Sequence, residues 1–212
     1  MTQLLPSASL SVRRTGTGAP VVLLHGLGRT QAMWDDLAPL ADQFELLRYD
    51  LPCHGETPVP DGPFGIEDLS DQLGDILTEA EIVRARIVGA GLGGMIALGF
   101  AAACPARVGR LVLIDTTPAL SEGLRDAVLT MPDAGPMHAA MARADLMDLA
   151  EEIYAPTLVL CAEGADLSLR EGADFLARSI PHGRLAYVAG ATVDCVAERP
   201  DWLMRVLRDF LA

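Results

Sequence analysis

The sequence predicts an α/β protein with a mostly parallel, doubly wound sheet. Short apolar runs alternate along the chain with segments of helical periodicity, the order expected of strands joined by crossover helices. Half of the 212 residues are hydrophobic, which is too high a proportion for a disordered chain. A chain of this length can bury a sizeable core, so we expect one domain over residues 1–212.

The first half of the chain predicts three strands and two helices. The runs PVVLLHG and FELLRYD are short and apolar, which is typical of buried strands, and they end at Gly26 and Asp50. GIEDLSDQLGDILTEA has apolar residues at helical spacing after an acidic first turn. ARIVGA predicts the third strand, and GGMIALGFAAAC predicts a helix that ends before Pro105.

The second half continues the alternation after one interruption. VGRLVLID predicts a fourth strand, and residues 116–150 then become irregular and rich in methionine, which we interpret as a short cap with helical fragments. APTLVLCAE, LREGADFLARSI, GRLAYVAG and DWLMRVLRDFL predict strand, helix, strand and closing helix. Because a parallel sheet places ligands at the carboxyl ends of its strands, the loops there should hold the site.

Composition excludes several classes of partner. A net charge of −13 argues against nucleic acid and anionic membranes, since both require a basic face. The four cysteines are scattered without a C-x-x-C pair, so we expect neither metal nor cofactor nor disulfide framework, and a reducing cytoplasm fits. The N-terminus has no secretory pattern. The uncharged residues 87–104 resemble a membrane span in length, but their glycines favour a buried strand and helix.

The stretch IVGAGLGGMIAL at 87–98 has two interpretations. Gly89, Gly91 and Gly94 spell the G-x-G-x-x-G of a dinucleotide-binding turn, and Asp115 ends the next strand near the place of a ribose-binding acid. However, the motif follows two strand–helix units, and too little chain remains for the rest of a dinucleotide domain and a catalytic domain. The same stretch also fits G-x-S-x-G, the nucleophile elbow of a hydrolase, with Gly91 at the serine position.

Several further motifs occur in the order of one known family. They are HGLG at 25–28, YDLPCHGET at 49–57, the run from 70 to 118, PTLVLCAEGAD and VAGATVDCVAERPDWLMRVLRDFL. Together they resemble α/β-hydrolase-fold proteins, most closely the 3-oxoadipate enol-lactonase and esterase branch, over nearly the whole chain. The segment 116–150 is shorter than the usual cap. The resemblance implies the hydrolase fold and a Ser-His-Asp site, and we prefer the elbow interpretation of residues 87–98.

The chain departs from the family at the residues that carry the chemistry. Gly91 stands where the resemblance implies the serine, and Val193 stands where it implies the histidine. The G-x-x-D pattern places the acid at Ala165, with Asp166 one residue later. Removal of a serine-hydrolase triad costs on the order of a millionfold in turnover. Conventional serine hydrolysis is therefore not expected.

Backbone N–H donors of such a site do not depend on the side chains that have changed. The resemblance implies an oxyanion hole formed by the N–H groups of Leu92 and Leu27. His25 and His54 stand at positions where the family has structural histidines. Asp115 stands where some relatives have a catalytic acid, with a turn or cap role as the alternative.

Three residues are candidates for replacement chemistry. Cys53 could act as a nucleophile, although nothing in the sequence would lower its pKa. His138 in the cap and Asp194 beside the missing histidine could act as bases, with exposed or capping roles as the alternatives.

Three functions stay open. The first is binding of a small acyl, lactone or aromatic ligand, or a partner role, without hydrolysis. The second is an isomerase, lyase or cyclase that uses the oxyanion hole without a serine. The third is residual ester or lactone hydrolysis through water or Cys53. A small-molecule ligand is the expected partner, and the sequence leaves the oligomeric state open.

Overall fold

A seven-stranded sheet forms the centre of the molecule. The computed structural model describes residues 9–212, and the sheet order is β1-β3-β2-β4-β5-β6-β7. The strands are β1 (Val12–Thr15), β2 (Ala19–Leu24), β3 (Phe44–Tyr49), β4 (Ala85–Ala90), β5 (Val108–Ile114), β6 (Thr157–Ala162) and β7 (Gly183–Val188). Only β1 pairs antiparallel, with β3, and all other pairs are parallel. The predicted α/β fold with a mostly parallel sheet is confirmed.

Helices cover both faces of this sheet. They are α1 (Ile66–Glu79), α2 (Leu92–Ala103), α3 (Glu122–Leu129), α4 (Pro136–Arg143), α5 (Leu167–Ser179), α6 (Cys195–Glu198) and α7 (Pro200–Leu211). The 3₁₀ helices are Gln31–Asp42, Pro105–Arg107 and Asp148–Glu152. One buried cluster joins the sheet to α1, α2 and α5, and a second joins it to Gln31–Asp42 and α7.

Alternation along the strands distributes the core between these two layers. Val22 and Leu24 pack in the cluster with α1 and α2, whereas Val21 and Leu23 pack in the cluster on the other face. Successive side chains of a strand point to opposite faces, so a strand buried on both faces is apolar at every position. This is why short apolar runs predicted β2, β4, β5 and β6, while β3 and β7 were predicted from similar runs although they are less buried.

The first strand and the first helical segment were not predicted. β1 is exposed at all four positions and carries Arg13 and Arg14, so it has no apolar run to detect. Charged side chains are typical of edge strands, where they discourage pairing with another chain. The 3₁₀ helix Gln31–Asp42 contains Pro39, which interrupts an α-helical pattern.

Residues 87–104 form a buried strand followed by a buried helix, as predicted. β4 passes directly into α2, a helix of 12 residues that is almost completely buried. Among residues 9–212, no helix has both the length and the apolar character needed to cross a membrane. Residues 116–150, between β5 and β6, contain α3, α4 and a 3₁₀ turn, as the helical fragments indicated.

Candidate functional site

The glycine turn between β4 and α2 lies at the carboxyl edge of the sheet. Gly91 has φ 50° and ψ −114°, and its N–H donates to the carbonyl of Ile114 at 2.9 Å. This left-handed conformation favours glycine. A Cβ at this position would lie 3.9 Å from Asp115 O and 4.0 Å from the Gly26 Cα, so there is room for a side chain. The turn thus presents an apex with space in front of it and no functional group.

The flanking glycines let β4, β2 and α2 approach each other closely. A Cβ on Gly89 would lie 2.3 Å from the carbonyl oxygen of Gly93. A Cβ on Gly93 would lie 2.3 Å from Leu24 O and 2.6 Å from His25 O. These are backbone atoms and cannot move aside as a flexible side chain can, so glycine is required at both positions by packing.

The two predicted oxyanion donors occupy adjacent loops. Leu92 is the first residue of α2, so its N–H has no partner within the helix. Leu27 lies in the turn after β2, and no acceptor for its N–H occurs within residues 9–212. The proximity of Gly26 to Gly91 brings these two loops together. An oxyanion hole between Leu27 and Leu92 remains a prediction that this arrangement permits.

His25 and His54 hold the loops around this turn. The Nε2 atom of His25 accepts from Leu51 N–H at 2.9 Å, and its Nδ1 lies 2.9 Å from Gly26 O. The Nε2 atom of His54 accepts from Gly28 N–H at 2.9 Å, and its Nδ1 lies 3.0 Å from Pro52 O. Each ring therefore carries its proton on Nδ1 and is neutral.

Burial reinforces the neutral state of this histidine pair. It lowers the pKa of His25 to about 4 and also lowers the pKa of His54. The two rings meet edge to face with their centroids 5.0 Å apart. Both nitrogens of each ring contact the backbone, which is compatible with a structural role, and neither ring is positioned as a free general base.

Asp115 joins three elements beside the turn. Its carboxylate accepts from Ala162 N–H at 2.8 Å and from Cys195 N–H at 2.9 Å. The thiol of the buried Cys195 also donates to it, at 3.3 Å. Burial raises the pKa of Asp115. The residue therefore ties the end of β5 to the end of β6 and to the start of α6.

The residues at the acid and histidine positions lie apart from this network. Asp166 is exposed and caps α5, because its Oδ1 accepts from Leu169 N–H at 2.9 Å. The side chain of Val193 is 76% exposed. Neither residue supplies a proton acceptor that a group at Gly91 could use.

Glu198 fixes the loop that contains Val193, and the sequence did not single it out. Its Oε1 accepts from the N–H groups of Asp194 and Val193 at 2.9 and 2.8 Å. Its Oε2 accepts from Thr192 N–H and Oγ1, both at 2.9 Å. These hydrogen bonds lower the pKa of Glu198 to about 2, with the Asp194 N–H contributing most. An acidic residue in the first turn of a helix was the available signal.

We expect Glu198→Gln to lower the melting temperature at pH 7. The lowered pKa means that the carboxylate stabilises the folded state above its ordinary pKa of 4.5, and that this contribution is lost as the pH falls towards about 2. The difference between the variant and the original protein should therefore shrink from pH 7 to pH 3 in thermal melts followed by circular dichroism. Glu171→Gln, an exposed change on α5, serves as control. A constant difference across this range would contradict the assignment.

Asp194 is held in place from two sides. Its Oδ1 accepts from Val196 and Ala197 N–H, both at 3.1 Å, so it caps α6. Its Oδ2 forms an ion pair with Arg29, which lies in the loop after β2. This ion pair connects the loop of the predicted oxyanion donor to the loop that contains Val193. Asp194 therefore has the capping role that the sequence weighed against a role as base.

The other two candidates are also constrained. Cys53 has a positive φ of 67°, consistent with a glycine-like position, and burial raises the pKa of its thiol. A raised pKa disfavours the thiolate that a nucleophile requires. His138 is half-buried at the start of α4, where its Nδ1 accepts from Gly135 N–H at 3.2 Å. It lies near enough to His54 to help lower the pKa of that ring.

Within the part of the chain that the structure describes, no three His, Cys, Asp or Glu side chains are grouped so as to hold a metal ion.

Comparison with known proteins gives one consistent answer. Residues 21–204 match the model of a family described as the alpha/beta hydrolase family. The crystal structure of the enol-lactonase from Burkholderia xenovorans is 25% identical and superposes with a TM-score of 0.84, covering 95% of this chain and 96% of that one. A hydrolase from Pseudomonas aeruginosa superposes with a TM-score of 0.87 at 24% identity, over 96% and 94% of the two chains.

Curated relatives match over a shorter length. A pimeloyl-[acyl-carrier protein] methyl ester esterase of Nitrosomonas europaea is 31% identical over 131 residues, which are 58% of this chain and 50% of that protein. Another match, to a Mycobacterium tuberculosis protein described as uncharacterized, spans 48% of this chain and 30% of that protein. This chain therefore spans half or less of the length of these two relatives.

Proposed function

Because the chain belongs to the alpha/beta hydrolase family, we propose that it binds a small acyl, lactone or aromatic ligand at the glycine turn without serine-dependent hydrolysis. Gly91 is the observation that carries this proposal. It keeps the backbone conformation of a nucleophile elbow, with space in front of it, and has no side chain to form an acyl-enzyme. The proposed ligand would therefore occupy the space in front of Gly91, where no reactive side chain is present.

The surroundings of Gly91 support binding rather than proton transfer. Val193 is exposed and cannot accept a proton, and Asp166 is engaged in capping α5. His25 and His54 are neutral and bonded to the backbone through both nitrogens. General-base catalysis requires a side chain free to reach the proton that it removes, and these residues do not offer one.

The N–H groups of Leu27 and Leu92 supply the polar part of the proposed pocket. Donors at such positions would bind a carbonyl or carboxylate oxygen of the ligand. Their backbone origin explains how binding could survive the substitutions at Gly91 and Val193. The similarity to an enol-lactonase and to an ester esterase supports lactones and acyl compounds as the first ligands to examine.

We expect ester and lactone turnover at background for the original protein. The test is a panel of short p-nitrophenyl esters and γ-lactones, assayed with highly purified protein and with Gly91→Ala as the contamination control. Gly91→Ser should also remain at background, because Val193 supplies no base. Turnover by the original protein that Cys53→Ala or His138→Ala abolishes would contradict the proposal and favour the alternative chemistries. A large gain in Gly91→Ser would contradict the placement of the histidine position.

Binding can be tested at a single backbone donor. Gly28 has φ 70°, and Arg29 N–H donates to Gly26 O at 3.1 Å, so residues 26–29 form a turn in which Leu27 is the second residue. Proline is favoured at that turn position and has no N–H. Leu27→Pro should therefore weaken the binding of a lactone observed by ligand-detected NMR while preserving the melting temperature. Unchanged binding in a folded Leu27→Pro protein would exclude this donor.

Three further assignments are proposals of the same kind. We propose one domain, with residues 116–150 as a short cap inserted within it. We also propose residence in a reducing compartment such as the cytoplasm, supported by four cysteines that are all free thiols.

A further inference from the structure

The amino edge of the sheet, opposite the glycine turn, carries a group of arginines. Arg84 directly precedes β4, Arg86 lies in β4, Arg110 in β5 and Arg184 in β7. Arg86 and Arg110 are direct partners in the register between β4 and β5. Like charges directly opposite each other in a sheet are destabilising. In a chain with 29 acidic residues, such a pairing of cations without a carboxylate between them requires an explanation.

Neutralising partners are scarce in this group. Within residues 9–212, no Asp or Glu side chain forms an ion pair with any of these four arginines. Arg84 donates to Val108 O at 3.4 Å, and Arg86 donates to Ala212 O at 3.3 Å. The Nε of Arg86 is buried without a hydrogen-bond partner.

The guanidinium groups of Arg86 and Arg110 are held on aromatic rings. The Cζ of Arg86 lies 5.7 Å from the centre of the Phe44 ring, and that of Arg110 lies 5.5 Å from the centre of the Phe210 ring. Stacking fixes a guanidinium while leaving its N–H donors at the edge available. No hydrogen-bond acceptor for the side chain of Arg110 occurs in the described part of the chain. The donors are therefore positioned in advance for an anion.

Two cavities adjoin these arginines. A cavity of about 230 Å³ is lined by Arg84, Arg86 and Arg110. A second cavity, of about 720 Å³, shares Arg110 and reaches Arg184 and the ring of Phe210. Both cavities lie on the amino edge on either side of Arg110, and we call the two together the arginine groove. Asp209 also lines its larger part.

We propose that the arginine groove binds a small organic phosphate ester with at least two phosphoryl groups, as in a nucleoside diphosphate. Arg86 and Arg110 are register partners and line the same small cavity, where one phosphoryl group can contact both. The backbone of Arg184 lies two strands, or about 10 Å, from that of Arg110. Arginine favours phosphate because its planar N–H donors match the oxygen geometry. The larger cavity, with Phe210, accommodates the organic group.

The volume of the larger cavity and the net charge of the chain argue against a nucleic acid as the ligand. The larger cavity falls within the range typical of small-molecule sites, roughly 300–1,000 Å³. A net charge of −13 repels a nucleic acid as soon as it extends beyond the groove. The groove is also distinct from the glycine turn, which lies at the opposite edge of the sheet.

Titration calorimetry of the full chain at low salt tests this site with pyrophosphate and with ADP as the probes. Both should bind saturably to one site, ADP more tightly, and Arg110→Gln and Arg184→Gln should each weaken binding about tenfold, equivalent to one charge-assisted hydrogen bond. Arg125→Gln, which removes the same charge from an exposed position on α3, should bind as the original protein does.

Four results would overturn the proposal. They are the absence of saturable binding at millimolar probe concentrations, equal weakening by Arg125→Gln, equal affinities for pyrophosphate and ADP, and displacement of ADP by a single-stranded oligonucleotide. Melting temperatures of the variants show whether they remain folded. Because Arg110→Gln and Arg184→Gln lie far from Gly91, ligand binding at the glycine turn should be unchanged in both, so this site and the proposed function can fail independently.

Discussion

Gly93→Ala should destabilise the protein by roughly 3 kcal/mol or more, because the added methyl group would overlap the backbone. The Cβ would lie 2.3 Å from Leu24 O and 2.6 Å from His25 O. Alanine is favoured over glycine in a helix by about 1 kcal/mol, so the gain in helix propensity for α2 is smaller than the cost of the overlap. The free energy of unfolding from urea titrations measures the difference.

Gly91→Ala provides the matched control at the apex of the same turn. Its Cβ would have no atom closer than 3.9 Å, so only the positive φ of 50° opposes the substitution. That conformation costs a non-glycine residue about 1–2 kcal/mol. Equal destabilisation by Gly91→Ala and Gly93→Ala would show that β4, β2 and α2 do not approach as closely as described.

Asp115→Ala should destabilise the protein by roughly 2–4 kcal/mol, because two backbone N–H groups would lose their acceptor in a partly buried environment. These groups belong to Ala162 and Cys195, which lie at the end of β6 and the start of α6. The loss should therefore extend to the loop that contains Val193. Unfolding titrations give the total cost, and hydrogen exchange of the two amides locates it.

Asp115→Asn separates the charge of this residue from its shape. Asparagine keeps one acceptor oxygen and also tolerates the positive φ of 46°, so its cost at pH 7 should be smaller than that of alanine. Burial raises the pKa of Asp115 above its ordinary value of 3.8, so the folded state favours the protonated carboxyl group. The stability gained from this preference is fully present below pH 3.8 and is lost as the pH rises through the raised pKa. The cost of Asp115→Asn should therefore be larger at pH 4 than at pH 7, and the opposite trend would contradict the raised pKa.

Local sequence was sufficient to predict an element when the residues of one short segment specify its conformation. The glycines at 89, 91 and 93 predicted a tight strand-to-helix turn. In the structure, backbone atoms exclude a side chain at Gly89 and Gly93, and a positive φ disfavours one at Gly91. β2, β4, β5 and β6 were predicted because burial on both faces makes a strand largely apolar. β3 and β7 were also predicted from short apolar runs, although β7 has only one buried residue. β1 was missed because none of its four residues is buried.

Contacts between distant segments were not predictable in the same way. The ion pair of Arg29 with Asp194 joins residues 165 positions apart, and neither residue belongs to a local motif that specifies its partner. The sequence left Asp115 open between a catalytic acid and a turn or cap residue, and its two partners, at Ala162 and Cys195, depend on how β5, β6 and α6 assemble.

The sequence by itself determined the α/β class and the order of β2 to β7 with the α-helices between them, and it predicts that Gly91 and Val193 stand where the family resemblance implies a serine and a histidine. Those properties follow from hydrophobic periodicity and residue identity, which are local. The tertiary structure decided which candidate side chains are engaged elsewhere, and it brought the arginines of β4, β5 and β7 to one edge of the sheet. Strand order and register bring residues far apart in sequence within a few ångströms, and only the assembled sheet specifies both.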